Sequence, residues 1–108
     1  MLWAPGTRNE LRTYPKRIRR LIGRGIEVAQ WGQTDTHAKP MQSPLRAVYE
    51  IVVEGDRVTY RAACFPTVES DGPIAVLDVF IKKSKSGTAT PQPVIERVKL
   101  RLKRIKEI

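Results

Sequence analysis

The sequence predicts an α+β fold, and three patterns indicate this class. Apolar residues recur at helical spacing between residues 18 and 29, opposite a face of arginines. Residues 46–65 alternate between apolar and polar side chains, as strands with one buried face do. A second helical stripe follows near the end of the sequence. We expect one domain over residues 1–108, with two N-terminal helices packed on an antiparallel sheet of three to four strands, plus a C-terminal helix.

The first elements are indicated by the residues at their ends. Residues 2–3 can begin a short edge strand before a Pro-Gly pair. The stretch 7–10 (TRNE) is typical of a capping box, so a short helix should run from there to about Tyr14. Pro15 suits the first turn of a second helix, which Gly32 should end.

A loop and a hairpin should follow these helices. Residues 33–44 are polar and contain two prolines, so we expect a loop there. The alternating residues 46–65 are interrupted by Gly55-Asp56, a plausible two-residue hairpin turn. If this turn sets the register, Glu50 lies directly opposite Arg61 as a favourable cross-strand pair.

The third strand of this region, residues 74–81, is the most apolar one and should be central. Its alternation places Leu77, Val79 and Ile81 on the face that the helices would cover. Because an unpaired carboxylate is costly to bury, Asp78 should pair with a basic neighbour, Arg61 or Lys82. The opposite face should then be polar, charged and concave, gathering Glu50, Arg61, Asp78 and Lys82.

The last element should be a basic helix with an apolar stripe. Thr90 is a good N-cap, and Pro91 fits the first helical turn. We expect the stripe to pack on the sheet of the same chain, although packing on a partner protein is the alternative. The stripe consists of Ile95, Val98, Leu102 and Ile105.

The formal net charge is +9, and the basic residues are concentrated in residues 7–25, 82–85 and 96–106. Such an asymmetry suits a polyanion, and nucleic acid is the first candidate. The alternatives are a solvated basic surface without a partner and an acidic partner protein that masks the charge.

Other features favour a cytoplasmic protein without a cofactor. Cys64 is the only cysteine, so it cannot form an internal disulfide and should be buried as a small apolar residue. His37 is the only histidine and has no second ligand at metal-site spacing, so we expect no metal site. No apolar run reaches the roughly 18 residues of a membrane span, and we expect no contact with membranes.

The basic residues on the sheet suit phosphate chemistry. The sequence contains no Walker loop, no dinucleotide-binding glycine pattern and no Ser/His/Asp set. A metal-free ribonuclease needs a base for the ribose 2′-hydroxyl, positive charge for the crowded phosphorane, and an acid for the 5′-oxygen. Arginine supplies the charge, and a lysine with a lowered pKa can act as base or acid. A solvated charged sheet face without catalytic function is the alternative.

A series of motifs extends over most of the chain. In order they are ELRTYPKRIRRLIGRGIEVAQWGQ, AKPM, VYEIVV, DRVTYRAACF and FIKKSKSGTATP, followed by a helix containing RLK. In these motifs the sequence resembles the phage-associated HigB-type branch of the RelE/ParE toxin superfamily. The resemblance implies a RelE/ParE-like α+β fold and a toxin of a type II toxin–antitoxin system. It also implies metal-free, ribosome-dependent cleavage of mRNA, and a helix-turn-helix antitoxin encoded nearby that forms a hetero-oligomer with the toxin.

Several site residues follow from the resemblance by position. Arg61 matches the strand arginine of the Tyr-Arg motif, and Lys82 and Lys83 match the basic pair at the end of the last strand. Relatives commonly have arginine at the position of Val52 and histidine at that of Asp78. Glu50 and Asp78 are the expected supporting residues, and the further expected RNA contacts are Arg57, Lys85 and Lys39.

Three hypotheses about function remain open from the sequence. The first is an mRNA endonuclease that binds the ribosome through basic helices. The second is a toxin of the same fold that inhibits DNA gyrase, as the ParE branch does. The third is a catalytically inactive relative that binds RNA or protein, which the residues Val52 and Asp78 favour.

Overall fold

The computed structural model describes residues 2–41, 48–66, 73–83 and 90–106, and it confirms the α+β class. The N-terminal part holds a two-residue strand, two helices and a second short strand. Three longer strands and a helix follow. In chain order the elements are β1 (Leu2–Trp3), α1 (Thr7–Arg12), α2 (Lys16–Gln30), β2 (Ala38–Pro40), β3 (Tyr49–Glu54), β4 (Val58–Pro66), β5 (Ile74–Lys83) and α3 (Gln92–Lys106).

The described strands form one mixed sheet of five strands in the order β1-β5-β4-β3-β2. β1 pairs with β5 in parallel, and the other neighbours are antiparallel. The prediction of a purely antiparallel sheet of three to four strands is therefore wrong. Residues 74–81 lie inside the sheet as predicted, between β1 and β4, although β4 has the middle position. The predicted loop 33–44 contains β2, which is too short to show alternation and ends in a proline that only an edge strand tolerates.

Helices cover both faces of the sheet. Leu11 of α1 and the buried isoleucines of α2 form one apolar cluster with residues of β3, β4 and β5. Val94, Val98 and Leu102 of α3 form a second cluster on the opposite face. The expectation that α3 packs on the sheet is confirmed. The expectation that one face stays open and polar is wrong, because α3 covers part of that face.

A β-bulge in β5 changes which residues share a face. Ala63 pairs with Asp78, but the next residue of β4, Cys64, pairs with Val76, so Leu77 is the extra residue. Leu77 therefore joins the cluster under α3, while Val79 joins the cluster under α1 and α2. The prediction that Leu77 and Val79 share one face is wrong for this reason. Cys64 is buried, as predicted.

The hairpin between β3 and β4 turns one residue later than predicted. The amide of Gly55 donates to the carbonyl of Val58 at 2.9 Å, so Asp56 and Arg57 form the centre of the turn. Arg57 has φ 63°, in the left-handed region. Glu54 consequently pairs with Thr59, and the register moves by two residues.

One of two predicted helix ends in the N-terminal part differs from the structure. Gly6, with φ 80°, precedes α1, and the hydroxyl of Thr7 donates to the carbonyl of Ala4 at 2.6 Å instead of accepting from helix amides. The predicted capping box is therefore wrong. Gly32, with φ 76°, follows α2 closely, as predicted.

Among the described residues, no helix is long and apolar enough to cross a membrane.

Candidate functional site

A buried ion pair between β3 and β4 forms the centre of the candidate site. Arg61 Nη1 donates to Glu50 Oε2 at 2.8 Å, and the two side chains are 11% and 6% exposed. Glu50 lies opposite Ala63 and Val52 lies opposite Arg61, so the predicted direct pairing of Glu50 with Arg61 is wrong. The predicted contact forms nevertheless, because a register shift of two residues keeps both side chains on one face.

Thr59 connects this ion pair to the last strand. Arg61 Nε donates to Thr59 Oγ1 at 3.1 Å, and Thr59 Oγ1 donates to the carbonyl of Lys82 at 3.3 Å. Thr59 and Lys82 are direct cross-strand partners, so the side chain of Lys82 lies on the same face as Arg61. The hydrogen bonds therefore run across β3, β4 and β5.

Lys82 is only 6% exposed. Burial lowers its pKa below the usual 10.5, the neighbouring charge of Arg61 lowers this pKa further, and the charge of Glu50 raises it in part. The direction follows from the cost of keeping an ammonium group in a poorly hydrated place beside another cation. Lys82 therefore loses its proton more easily than an exposed lysine.

Thr90, just before α3, completes the site from the side of the helix. Its hydroxyl donates to Glu50 Oε1 at 2.7 Å. The carbonyl of Pro91 accepts the first helical hydrogen bonds from Val94 and Ile95, so the prediction that Thr90 caps the helix is wrong. A Thr-Pro pair before a helix is typical of a helix cap. Nothing in the sequence indicated that the Thr90 hydroxyl would contact Glu50 instead.

Asp78 belongs to a separate cluster. It lies on the predicted face, yet its carboxylate accepts from Arg97 at 3.0 and 3.2 Å and from Arg101 at 3.1 Å. Arg101 Nη1 also donates to the carbonyl of Leu77, the extra residue of the bulge, at 2.7 Å. The expectation that Asp78 pairs with Arg61 or Lys82 is wrong, because α3 brings its own arginines to the bulge.

The remaining predicted residues lie around the site or outside the described parts. Lys39 is exposed on β2 and is the cross-strand partner of Glu50. Lys83 is exposed at the end of β5, and Arg57 is exposed in the hairpin turn next to it. Lys85 lies outside the described residues. The structure thus brings Glu50, Arg61 and Lys82 together and leaves Lys39, Arg57 and Lys83 at the edges.

The geometry leaves Arg61 with donor capacity for an anion. Its Nε and Nη1 atoms contact Thr59 and Glu50, while Nη2 makes no hydrogen bond with the described residues. With Lys82 protonated, the buried group of Glu50, Arg61 and Lys82 has a net positive charge. A guanidinium held in this way is suited to a phosphate oxygen. The described residues contain no group of three or more His, Cys, Asp or Glu that could hold a metal ion.

A cavity of about 490 Å³ lies elsewhere, between α2 and the β2–β3 edge of the sheet. Its walls include Ala29, Pro40 and Ile74, together with Tyr49, whose hydroxyl is buried and makes no hydrogen bond with the described residues. The cavity contains neither Arg61 nor Lys82 and is on the α2 side of the sheet. None of the three residues Glu50, Arg61 and Lys82 lines this cavity, so it is a separate feature from the charged cluster.

The fold and the cluster define a small, basic α+β protein with a buried Glu-Arg-Lys group on one sheet face. A family model described as "Phage derived protein Gp49-like (DUF891)" matches residues 9–103. The match covers most of the sequence, so this chain belongs to the phage-derived Gp49-like family. This family is RelE-like and toxin-like in general, and the match contains nothing specific to the HigB type. Neither the curated proteins nor the solved structures contain a match.

Proposed function

We propose that this protein is the toxin of a type II toxin–antitoxin system and cleaves mRNA on the ribosome without a metal ion. The observation that carries the proposal is the position of Arg61. Glu50 and Thr59 fix its guanidinium, and Lys82, with a lowered pKa, lies beside it. The RelE-like character of the family supports the proposal.

In the proposed reaction the ribose 2′-oxygen attacks the adjacent phosphorus and the bond to the 5′-oxygen breaks. Lys82 is the proposed base: its lowered pKa favours loss of its own proton, and the deprotonated amine then takes the proton of the 2′-hydroxyl. Arg61 stabilises the charge of the phosphorane through Nη2. Water protonates the departing 5′-oxygen, and exposed Lys83 holds the RNA backbone. Because Arg61 and Lys82 are largely buried, the phosphate reaches them only when this face opens locally.

The proposed substrate and partners suit the charge of the protein. A formal charge of +9 favours association with ribosomal and messenger RNA, since each is a polyanion. A helix-turn-helix antitoxin is the proposed protein partner, in a hetero-oligomer in the cytoplasm. Lys39, Arg57 and Lys85 are proposed RNA contacts.

The test is expression of Arg61→Ala, with growth and primer extension on cellular mRNA as readouts. We expect the wild type to arrest growth and cut transcripts, and the folded Arg61→Ala variant to do neither. Gln33→Ala, at an exposed position outside the basic helices and the proposed RNA contacts, is the control and should remain toxic. Undiminished toxicity of folded Arg61→Ala would rule out the role of Arg61. Arrest with intact transcripts and inhibited supercoiling would favour the gyrase target.

One observation favours an inactive, RNA-binding relative as the second candidate. Val52 lies directly opposite Arg61, so a position beside the guanidinium that could supply a second cation is apolar. Val52→Arg is the informative variant, because it adds a charge without breaking a described ion pair. If only Val52→Arg cuts mRNA, the second candidate is correct.

A further inference from the structure

We propose that Thr90 is a positioning residue, which orients Arg61 for phosphate through Glu50 and thereby couples the start of α3 to the candidate site. The inference rests on the proposed function, since it concerns the same site. It adds a residue that neither the sequence analysis nor the proposed reaction assigns to the site.

Each oxygen of the Glu50 carboxylate accepts one hydrogen bond, and the two donors come from different elements of the fold. Oε1 accepts from Thr90 at 2.7 Å, and Oε2 accepts from Arg61 at 2.8 Å. Glu50 is only 5% exposed, so water cannot readily replace either donor. Rotation of the carboxylate would break both hydrogen bonds, and removal of the Thr90 donor would free the carboxylate to turn away from Arg61.

The residues that follow Thr90 hold it in place. The following residue, Pro91, restricts the backbone of Thr90 to extended conformations. The carbonyl of Pro91 then accepts from the amides of Val94 and Ile95, which fixes the start of α3. Val94 and Val98 are buried in the apolar cluster under the helix. Thr90 is therefore placed by the packing of α3, and its hydroxyl transmits that placement to Glu50.

The hydrogen bonds of Arg61 continue to the backbone of the proposed base, Lys82. Arg61 Nε donates to Thr59, and Thr59 donates to the carbonyl of Lys82. A shift of the guanidinium would therefore disturb both the phosphate ligand and the backbone that holds Lys82. Positioning of this kind acts on the transition state more than on substrate binding.

The experiment compares Thr90→Val, which keeps the shape and removes the donor, with Thr90→Ser, which keeps the donor. We measure kcat and KM for ribosome-dependent mRNA cleavage. Thr90→Val should lower kcat about tenfold, which is the size of one lost hydrogen bond to a charged group, with little change in KM. Thr90→Ser should stay close to the wild type. A folded Thr90→Val with wild-type kcat, or an equal loss in Thr90→Ser, would overturn the proposal.

A second readout separates this inference from the proposed function. In ¹⁵N-labelled protein the Nε–H signal of Arg61 reports the position of the guanidinium without any RNA. Thr90→Val should shift and broaden this signal, while Thr90→Ser and the control Thr13→Val, at an exposed threonine, should not. If the wild type cuts no RNA, the proposed function fails, and the signal still decides whether Thr90 positions Arg61. An unchanged Arg61 Nε–H signal in Thr90→Val contradicts the inference. If the valine variant does not fold, Thr90→Ala replaces it, and an unchanged signal in that variant has the same meaning.

Discussion

Replacement of Asp78 by alanine should destabilise the fold without removing a part of the candidate site. Asp78 is 8% exposed in its side chain and forms ion pairs with Arg97 and Arg101 of α3. It joins the bulge of β5 to the helix that covers this face. The Asp78→Ala variant therefore tests whether the residue holds the fold together or serves the site around Arg61.

The two ion pairs should contribute unequally. Arg97 is 47% exposed and can return to water, so its pair should contribute at most about 1 kcal/mol. Arg101 is 22% exposed and keeps only carbonyl partners, those of Leu77 and Pro5, once the carboxylate is gone. Removal of one partner of a well-buried pair costs about 3–5 kcal/mol, and partial exposure reduces this to about 2 kcal/mol. We expect a total loss of about 2–3 kcal/mol.

Urea denaturation followed by circular dichroism measures this loss. Glu96→Ala is the matched control, because Glu96 forms an exposed ion pair with Lys99 at 3.8 Å in the same helix. The control should change the free energy of unfolding by less than about 0.5 kcal/mol. If Asp78→Ala costs no more than Glu96→Ala, the structural role of Asp78 is refuted. If folded Asp78→Ala loses mRNA cleavage as completely as Arg61→Ala, Asp78 acts in the site after all.

Two further predictions concern the hairpin and Lys82. A Cβ atom at Gly55 would lie 2.5 Å from the Tyr60 ring, so Gly55→Ala should lower the free energy of unfolding by about 1–2 kcal/mol. At Gly23, in α2, a Cβ atom would meet nothing within 4 Å, so Gly23→Ala should raise the free energy of unfolding by about 0.5–1 kcal/mol. Thermal unfolding compares the two variants, and equal effects would contradict the predicted clash. Because the folded-state pKa of Lys82 is lowered, this residue contributes a stability that rises with pH between that pKa and 10.5, whereas the raised pKa values of Cys64, Tyr14 and Tyr49 act in the opposite direction. Urea denaturation of the wild type and of Lys82→Met over this pH range isolates the contribution of Lys82. The difference in free energy of unfolding, wild type minus variant, should rise with pH, and a difference that does not change with pH would exclude this contribution.

The sequence predicted the helices and the hairpin because their patterns have a clear polarity. α2 has arginines opposite isoleucines, and the sequences of β3 and β4 alternate between apolar and polar residues over much of their length, although both faces of these strands are largely covered in the structure. The Glu50–Arg61 contact was predicted even though the turn was placed one residue too early. An error of two residues in register preserves the face of every side chain, so the contact depended only on parity.

The bulge and the position of α3 could not be predicted in the same way. β5 is buried on both faces from Ile74 to Phe80, so its sequence contains no alternation that a one-residue insertion would interrupt. The apolar stripe of α3 indicated packing on the sheet but not which face it would cover. Asp78 was assigned to the wrong partners for both reasons, and Thr90 was missed because the same Thr-Pro pair suits a helix cap.

The distribution of the site along the chain has a consequence for biosynthesis. Glu50 and Arg61 are translated before Thr90, Arg97 and Arg101. The sheet face that carries the candidate site gains its helical cover only after α3 has left the ribosome. A nascent chain in which Arg61 and Lys82 have left the ribosome and Thr90 has not therefore lacks one of the hydrogen bonds that hold Glu50 in place. Its charged cluster becomes fully ordered only once translation of α3 is complete.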